Sequence, residues 1–278
     1  MSGKALVLGG GGITGIAWEL GILAGLADLG IDLDSADLVV GTSAGSVVGA
    51  DVRSGESLAA LYQAQLAPPG SEIAARMSPR LLGRYAWAML SARDPVKASR
   101  KIGRMAMSAR TVPPEQRRAV IAARLPVHQW PAAKLQITAV DAVTGELTIF
   151  DAASGADLVD AVGASCAVPG IWPPVTIAGR TYIDGGIRSP ANADLAAGYQ
   201  SVVVIAPLTR GFGHQTSVAS QVAQLRRTGA LVAVIEPDAA ALRAIGRNVL
   251  DPARRPAAAR AGHAQAALEA QAAAAAWQ

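Results

Sequence analysis

The sequence contains one cysteine, Cys166, three histidines (His128, His214 and His263) and two phenylalanines. A single cysteine excludes a disulfide framework and any thiolate cluster for zinc or iron–sulfur. The histidines lack HExxH or paired spacing, so no metal site is expected. Aromatic residues make up 4% of the chain and charged residues 17%. No uncharged apolar run approaches the roughly 18 residues that a membrane span needs. The apolar run before Gly9 is too short for a signal-peptide core. These absences lead to the expectation of a soluble protein in a reducing compartment, the cytoplasm, whose chemistry rests on side chains, with no cofactor.

What is present is apolar: 51% of the 278 residues are hydrophobic. So much apolar surface must be buried, which excludes intrinsic disorder. The length suits one large α/β domain or two small ones, and a single domain over residues 1–278 is expected. The net charge of +4 is unevenly spread: between Arg76 and Arg124, 12 Lys or Arg stand against only Asp94 and Glu115. Peripheral contact with an anionic membrane, at its inner face, is one use of such a stretch. Nucleic-acid binding is another, but no recognised nucleic-acid fold accompanies it.

Lys4–Leu8 is a short aliphatic run that ends in four glycines, Gly9–Gly12. Apolar residues then recur at helical spacing from Ile16 to Leu29. Leu38–Val40 is a second strand candidate ending at Gly41, with Ala44–Arg53 as a helix. Repeated strand–turn–helix units predict a parallel sheet covered by helices. Residues 57–130 form a helical insertion or cap, with Ser78-Pro79 and Asp94-Pro95 as helix starts. Leu135–Val140 and Glu146–Phe150 predict a hairpin. Val175–Ile183 is a strand region interrupted at Ala178-Gly179, and Ser201–Ala206 and Leu231–Glu236 are further parallel strands. Residues 253–278 hold 14 alanines. That composition favours a helix, but its apolar stripe is thin, so both packing and partial disorder stay open. Tyr85, Trp87, Met89, Leu90, Met105 and Met107 of the insertion could be core residues or touch lipid, and core is preferred.

Three elements could carry chemistry. Gly41-Thr42-Ser43-Ala44-Gly45 is a G-x-S-x-G sequence between a strand and a helix, as in a nucleophile elbow; a plain turn with a serine N-cap is the alternative. Gly9–Gly15 contains G-x-G-x-x-G at Gly10, Gly12 and Gly15. A dinucleotide fingerprint wants an acidic residue at the end of the second strand, where Gly41 stands instead. The competing use of the loop is an oxyanion hole made of backbone N–H groups. Asp184, before Gly185 and Gly186 at the end of a strand, could be the base for a serine nucleophile; a turn-forming Asp-Gly is the alternative. His214, in Gly211-Phe212-Gly213-His214, makes a Ser–Asp–His order formally available.

In this order and spacing, the elements resemble the patatin-like phospholipase family. The match comprises Gly10–Gly15, Gly41–Gly45, Asp184–Gly186 and the intervening Ala164–Val175 (ASCAVPGIWPPV). The resemblance implies a three-layer α/β/α fold with a mainly parallel central sheet. It also implies hydrolysis of lipid acyl esters through a Ser43–Asp184 dyad, with Gly10, Gly11, Gly12 and Ile13 as the oxyanion hole. Gly15, Gly41, Gly45, Gly185 and Gly186 complete the motifs. One residue departs from the pattern: the family's basic position in the glycine loop is Thr14 here. A serine esterase with a histidine triad, or a catalytically silent acyl-lipid or nucleotide-binding protein, are the competing expectations.

Overall fold

The structure is a computed structural model that describes residues 3–68, 70, 72–211 and 213–277. Residues 1, 2 and 278 of the expected domain, Pro69 and Ser71 of the insertion, and Phe212 beside His214 lie outside them. Five strands run parallel, in the order β3 (Leu135–Asp141), β2 (Leu38–Thr42), β1 (Lys4–Leu8), β7 (Ser201–Ile205) and β8 (Leu231–Ile235). Antiparallel strands β4 (Leu147–Phe150) and β6 (Arg180–Asp184) flank β3, and β5 (Val175–Ile177) pairs with β6.

Successive strand residues alternate between two cores, as the two-residue period of a strand requires. Leu6 and Leu8 of β1 and Val203 and Ile205 of β7 face one layer; Ala5, Val7, Val202 and Val204 face the other. On the first face lie α1 (Gly12–Asp28), α2 (Ala44–Val52) and α7 (Leu158–Ser165). The opposite face carries α8 (Val218–Arg227). There too, α4 (Pro79–Leu90) and α5 (Pro95–Met107) bring Met89 and Ile102 onto Val140 and Ile183. The result is a three-layer α/β/α arrangement, as the resemblance implied, around the helix-covered parallel sheet expected from the alternating elements.

The stretch from 57 to 130 does not form a body of its own. Leu61 of α3 (Leu58–Leu66) and Ile121 of α6 (Pro114–Ala122) join the first core, whereas α4 and α5 sit on the opposite face. Both expected helix starts hold: Ser78 Oγ accepts the Leu81 N–H at 3.2 Å and Asp94 Oδ1 the Lys97 N–H at 2.8 Å.

The alanine-rich tail is ordered as α10 (Arg255–Ala276) and lies along α1. Its thin apolar stripe suffices because the partner surface is glycine. A Cβ at Gly25 would stand 2.6 Å from the Ala266 methyl, and one at Gly262 would strike the Trp18 carbonyl. The backbones interlock at a distance that leaves no room for larger side chains. The interrupted strand at 175–183 proves to be a hairpin, β5–β6. Ala178 (φ 48°) and Gly179 (φ 78°) form its two-residue turn, both in the left-handed region that such tight hairpins require.

One feature of the register positions the site. On one edge β3 carries β4, from Ile137 to Val140. The opposite edge is shared. β2 occupies it up to the Thr42–Thr138 pair, and β6, running the other way, occupies it from Asp141 to the Asp184–Ala139 pair. The C-terminal ends of β2 and β6 therefore meet head to head. Adjacent rungs of β3 hold Thr42, the residue before Ser43, and Asp184.

Candidate functional site

Ser43 sits at the β2–α2 turn with φ 53° and ψ −114°, a left-handed backbone that a side-chain-bearing residue rarely adopts. The turn closes only because small residues flank it. A Cβ at Gly41 would lie 2.6 Å from the Gly45 carbonyl oxygen, and one at Gly45 would strike the Leu8 carbonyl. The strained turn is pinned from three sides. Ser43 donates its N–H to Ser165 Oγ at 2.8 Å, and its carbonyl accepts from Ser46 Oγ at 2.7 Å and Cys166 Sγ at 3.2 Å.

The Ser43 hydroxyl donates to Asp184 Oδ2 at 2.7 Å, and both side chains are buried. Asp184 Oδ1 accepts the Gly186 N–H at 2.7 Å, so both carboxylate oxygens are engaged. Burial pushes the Asp184 pKa up to about 6; the bonds from Ser43 and Gly186 and the positive charge of Arg117 restrain the rise. A carboxylate of this basicity, 2.7 Å from a hydroxyl, can take its proton without an intermediary. None of the three histidines bonds to either residue among the described residues. His214 Nε2 meets the Ala92 carbonyl at 3.0 Å, His128 that of Ala122 at 2.9 Å, and His263 the Asp28 carboxylate at 2.9 Å. The order Ser–Asp–His in sequence thus has no counterpart in contact.

The glycine loop lies against the serine: a Cβ at Gly10 would be 3.5 Å from Ser43 Cβ. Gly10 itself is not a free donor, because its N–H goes to the Pro190 carbonyl at 2.7 Å. This corrects the expectation that placed it in the oxyanion hole; Gly10 anchors the loop instead. Gly15 also bonds internally, to the Gly11 carbonyl at 2.9 Å. The N–H groups of Gly11, Gly12 and Ile13 have no acceptor among the described residues. They stand at the start of α1, where backbone N–H groups are left unpaired and the helix dipole favours negative charge. Gly12 (φ 62°) and Ile13 line the small cavity above Ser43. Thr14 is buried and sends both its N–H and its hydroxyl to the Val249 carbonyl, at 3.1 and 3.3 Å.

Several residues of the site gave no motif signal. Asn192 (φ 52°) is buried and donates from Nδ2 to Thr42 Oγ1 at 3.0 Å, Thr138 Oγ1 at 3.3 Å and the Gly185 carbonyl at 3.3 Å. It thereby ties together the ends of β2 and β6. Arg117, Arg124, Trp172 and Leu250 roof the Ser43 cavity, with the Arg117 guanidinium 4.0 Å above the Trp172 ring. The space above Ser43 is about 20 Å³, room for about one water, so the site is narrow as it stands. Among the described residues no group of His, Cys, Asp and Glu could hold a metal ion, and no helix is long and apolar enough to cross a membrane.

The chain is similar in fold to VipD from Legionella pneumophila, with a TM-score of 0.50 and 15% identity over 99% of this chain and 67% of that one. The type III effector protein ExoU matches with a TM-score of 0.41 and 18% identity, over 96% of this chain and 52% of that one. No curated protein matches the sequence. The family model described as Patatin-like phospholipase matches residues 6–197. That span exceeds half of the chain and contains the glycine loop, the serine turn and the Asp184 motif, and on this ground the chain belongs to the patatin-like phospholipase family, which supports a lipid hydrolase activity.

Proposed function

We propose that the protein hydrolyses acyl esters of lipids through an acyl-serine intermediate, with Ser43 as nucleophile and Asp184 as its direct base. The observation that carries this reading is the 2.7 Å hydrogen bond from Ser43 Oγ to Asp184 Oδ2 within a cavity lined by Gly12 and Ile13. Asp184 accepts the Ser43 proton as Oγ attacks the acyl carbonyl. Negative charge then develops on the carbonyl oxygen, where the N–H groups of Gly11, Gly12 and Ile13 can receive it. Collapse of the tetrahedral intermediate breaks the ester C–O bond, and the proton on Asp184 passes to the leaving alcohol oxygen. Water next attacks the acyl-Ser43 carbonyl and gives its proton to Asp184. Release of the fatty acid returns that proton to Ser43.

The substrate must reach a narrow site from an aggregate of lipid, and one face of the insertion suits that task. Trp87 is 69% exposed and Leu90 74%, against 2% for Met89 and 7% for Met105. The six apolar residues thus divide between core and surface. Arg80, Arg84, Lys101 and Arg104 line one cleft with Trp87, and Lys101 lies 5.1 Å from the centre of the Trp87 ring. Exposed Trp87 and Leu90, with cations beside the Trp87 ring, fit the boundary of an anionic bilayer. The test is hydrolysis of a panel of diacyl lipids by the purified chain and by Ser43→Ala. Release of fatty acid that disappears in the variant supports the proposal; equal release by both would exclude Ser43 as the nucleophile.

A further inference from the structure

The glycine loop brings no charge of its own to the serine, since Thr14 is buried on the Val249 carbonyl. The cations that line the cavity above Ser43 come from the insertion. Arg117 of α6 and Arg124, seven residues on, both line the cavity above Ser43. They differ in how they are satisfied. Arg124 is held by Glu72 through two bonds, Nε–Oε1 at 2.9 Å and Nη2–Oε2 at 2.6 Å. Arg117 is only 6% exposed, yet its guanidinium makes no hydrogen bond and no ion pair among the described residues. Its Nη1 is wholly enclosed and unpartnered.

A buried cation without a counter-charge is costly. Stacking on Trp172 steadies the guanidinium plane but leaves its donors unused. The carboxylates whose charge Arg117 feels, Glu72 and Asp184, are engaged elsewhere, with Arg124 and with Ser43 and Gly186. Burial lowers the Arg117 pKa to about 10, so the group stays cationic at neutral pH. Among the described residues, Arg117 alone lines both the Ser43 cavity and a neighbouring cleft of about 430 Å³. Of the charged groups lining that cleft, Arg118 and Asp160 are paired to each other at 2.7 Å, and Glu115 is the remaining acid.

Resting on the reading of Ser43 as nucleophile, we infer that Arg117, in place of the glycine loop, is the anchor for a phosphoryl group carried by the substrate, placing the scissile ester at Ser43 and setting how strongly a phosphodiester is preferred over a neutral ester. A guanidinium fork matches two oxygens of a phosphodiester, which a point charge cannot do equally well. Its station between the two cavities puts the anion beside the acyl carbonyl rather than at a remote surface. The glycine-loop departure at Thr14 is thereby compensated from another part of the fold.

The experiment compares short-chain, monomeric dihexanoyl phosphatidylglycerol with dihexanoylglycerol, which share acyl chains and differ in the phosphodiester. The ratio of kcat/KM for the two is measured at pH 8 in the full chain, in Arg117→Met and in Arg117→Lys. Loss of a charge-assisted bond in a desolvated site predicts that the ratio falls by about 30-fold in Arg117→Met and by less in Arg117→Lys. Glycerophosphoglycerol should compete with dihexanoyl phosphatidylglycerol in the wild type and not in Arg117→Met, and inorganic phosphate at equal concentration should compete less well. An unchanged ratio overturns the inference, as does equal competition by inorganic phosphate, which would mark a site for the free anion. Fluorophosphonate labelling of Ser43 separates the failures. A wild type that labels while the ratio stays constant loses only the Arg117 anchor. A wild type that neither labels nor cleaves either ester loses the hydrolase reading itself. Loss of labelling in both variants would assign Arg117 to nucleophile activation and likewise overturn the anchor.

Discussion

Thr42 and Asp184 occupy successive rungs on one edge of β3, opposite Thr138 and Ala139, although 142 residues separate them in the chain. β2 arrives from below and β6 from above, and the edge of β3 acts as the common ruler. The Ser43–Asp184 contact is therefore set by sheet register and not by a flexible loop, which holds the two groups to hydrogen-bond precision before any substrate binds.

Asn192 locks that junction with the two N–H bonds of one buried amide, shared among acceptors on Thr42, Thr138, Gly185 and Ser189. Asn192→Ala leaves buried acceptors unpaired and removes the tie between the two strand ends. The expected loss is about 3 kcal/mol of unfolding free energy, read by urea denaturation. Hydrolysis should fall with it, through misplacement of Asp184.

Activity should follow the ionisation of Asp184. Its carboxylate, with a pKa raised to about 6, accepts the Ser43 proton only above that pH. The profile of kcat/KM should be flat above about pH 7 and fall about tenfold per unit below pH 6. The stability consequence has the opposite sense. A carboxyl whose folded pKa is raised stabilises the fold at low pH, and that contribution is lost as pH rises through about 6. Asp184→Asn should therefore be inactive yet more stable than wild type at pH 8, by up to about 2–3 kcal/mol, with the gain vanishing near pH 4. Thermal melts at the two pH values check the sign.

The interface between α1 and α10 has no spare volume. A side chain at Gly262 would run into the Trp18 backbone, so Gly262→Val should cost about 3 kcal/mol or more. Replacement of Ala267, on the exposed side of the same helix, by Leu should cost less than about 0.5 kcal/mol. Chemical denaturation of the two variants distinguishes a packed tail from a dispensable one.

Trp87→Ala with Leu90→Ala should weaken binding to vesicles containing anionic lipid by about tenfold or more, from the apolar area no longer buried. Hydrolysis of a monomeric substrate should be untouched. The remaining affinity should fall as salt is raised, because Arg80, Arg84, Lys101 and Arg104 act through screened attraction. Flotation of vesicles at two salt concentrations reads both effects.

Much of this site was legible in the chain because turns constrain sequence strongly. Gly41 and Gly45 are the residues a serine on a strained turn demands, and Asp184 ends a strand in an Asp-Gly-Gly run. The succession of strand–turn–helix units likewise announced a parallel sheet covered by helices. The Gly10 assignment failed because a run of glycines does not say which N–H groups are already bonded; the acceptor, Pro190, is 180 residues away. Arg117 stayed hidden among 12 basic residues of the insertion. Only its burial and its missing partner set it apart, and neither is a property of local sequence. The packing of residues 253–278 was undecidable for a similar reason, since the surface that receives those alanines is the glycine face of a helix more than 200 residues earlier.

The central claim is that Ser43 is a nucleophile activated by Asp184 alone. Intact-mass labelling with a fluorophosphonate tests it most directly, on the wild type, Ser43→Ala, Asp184→Asn and His214→Ala. A single adduct on the wild type and on His214→Ala, absent from Ser43→Ala and strongly slowed in Asp184→Asn, is the predicted result. Labelling that survives in Ser43→Ala, or that is lost in His214→Ala while Asp184→Asn labels normally, would contradict it.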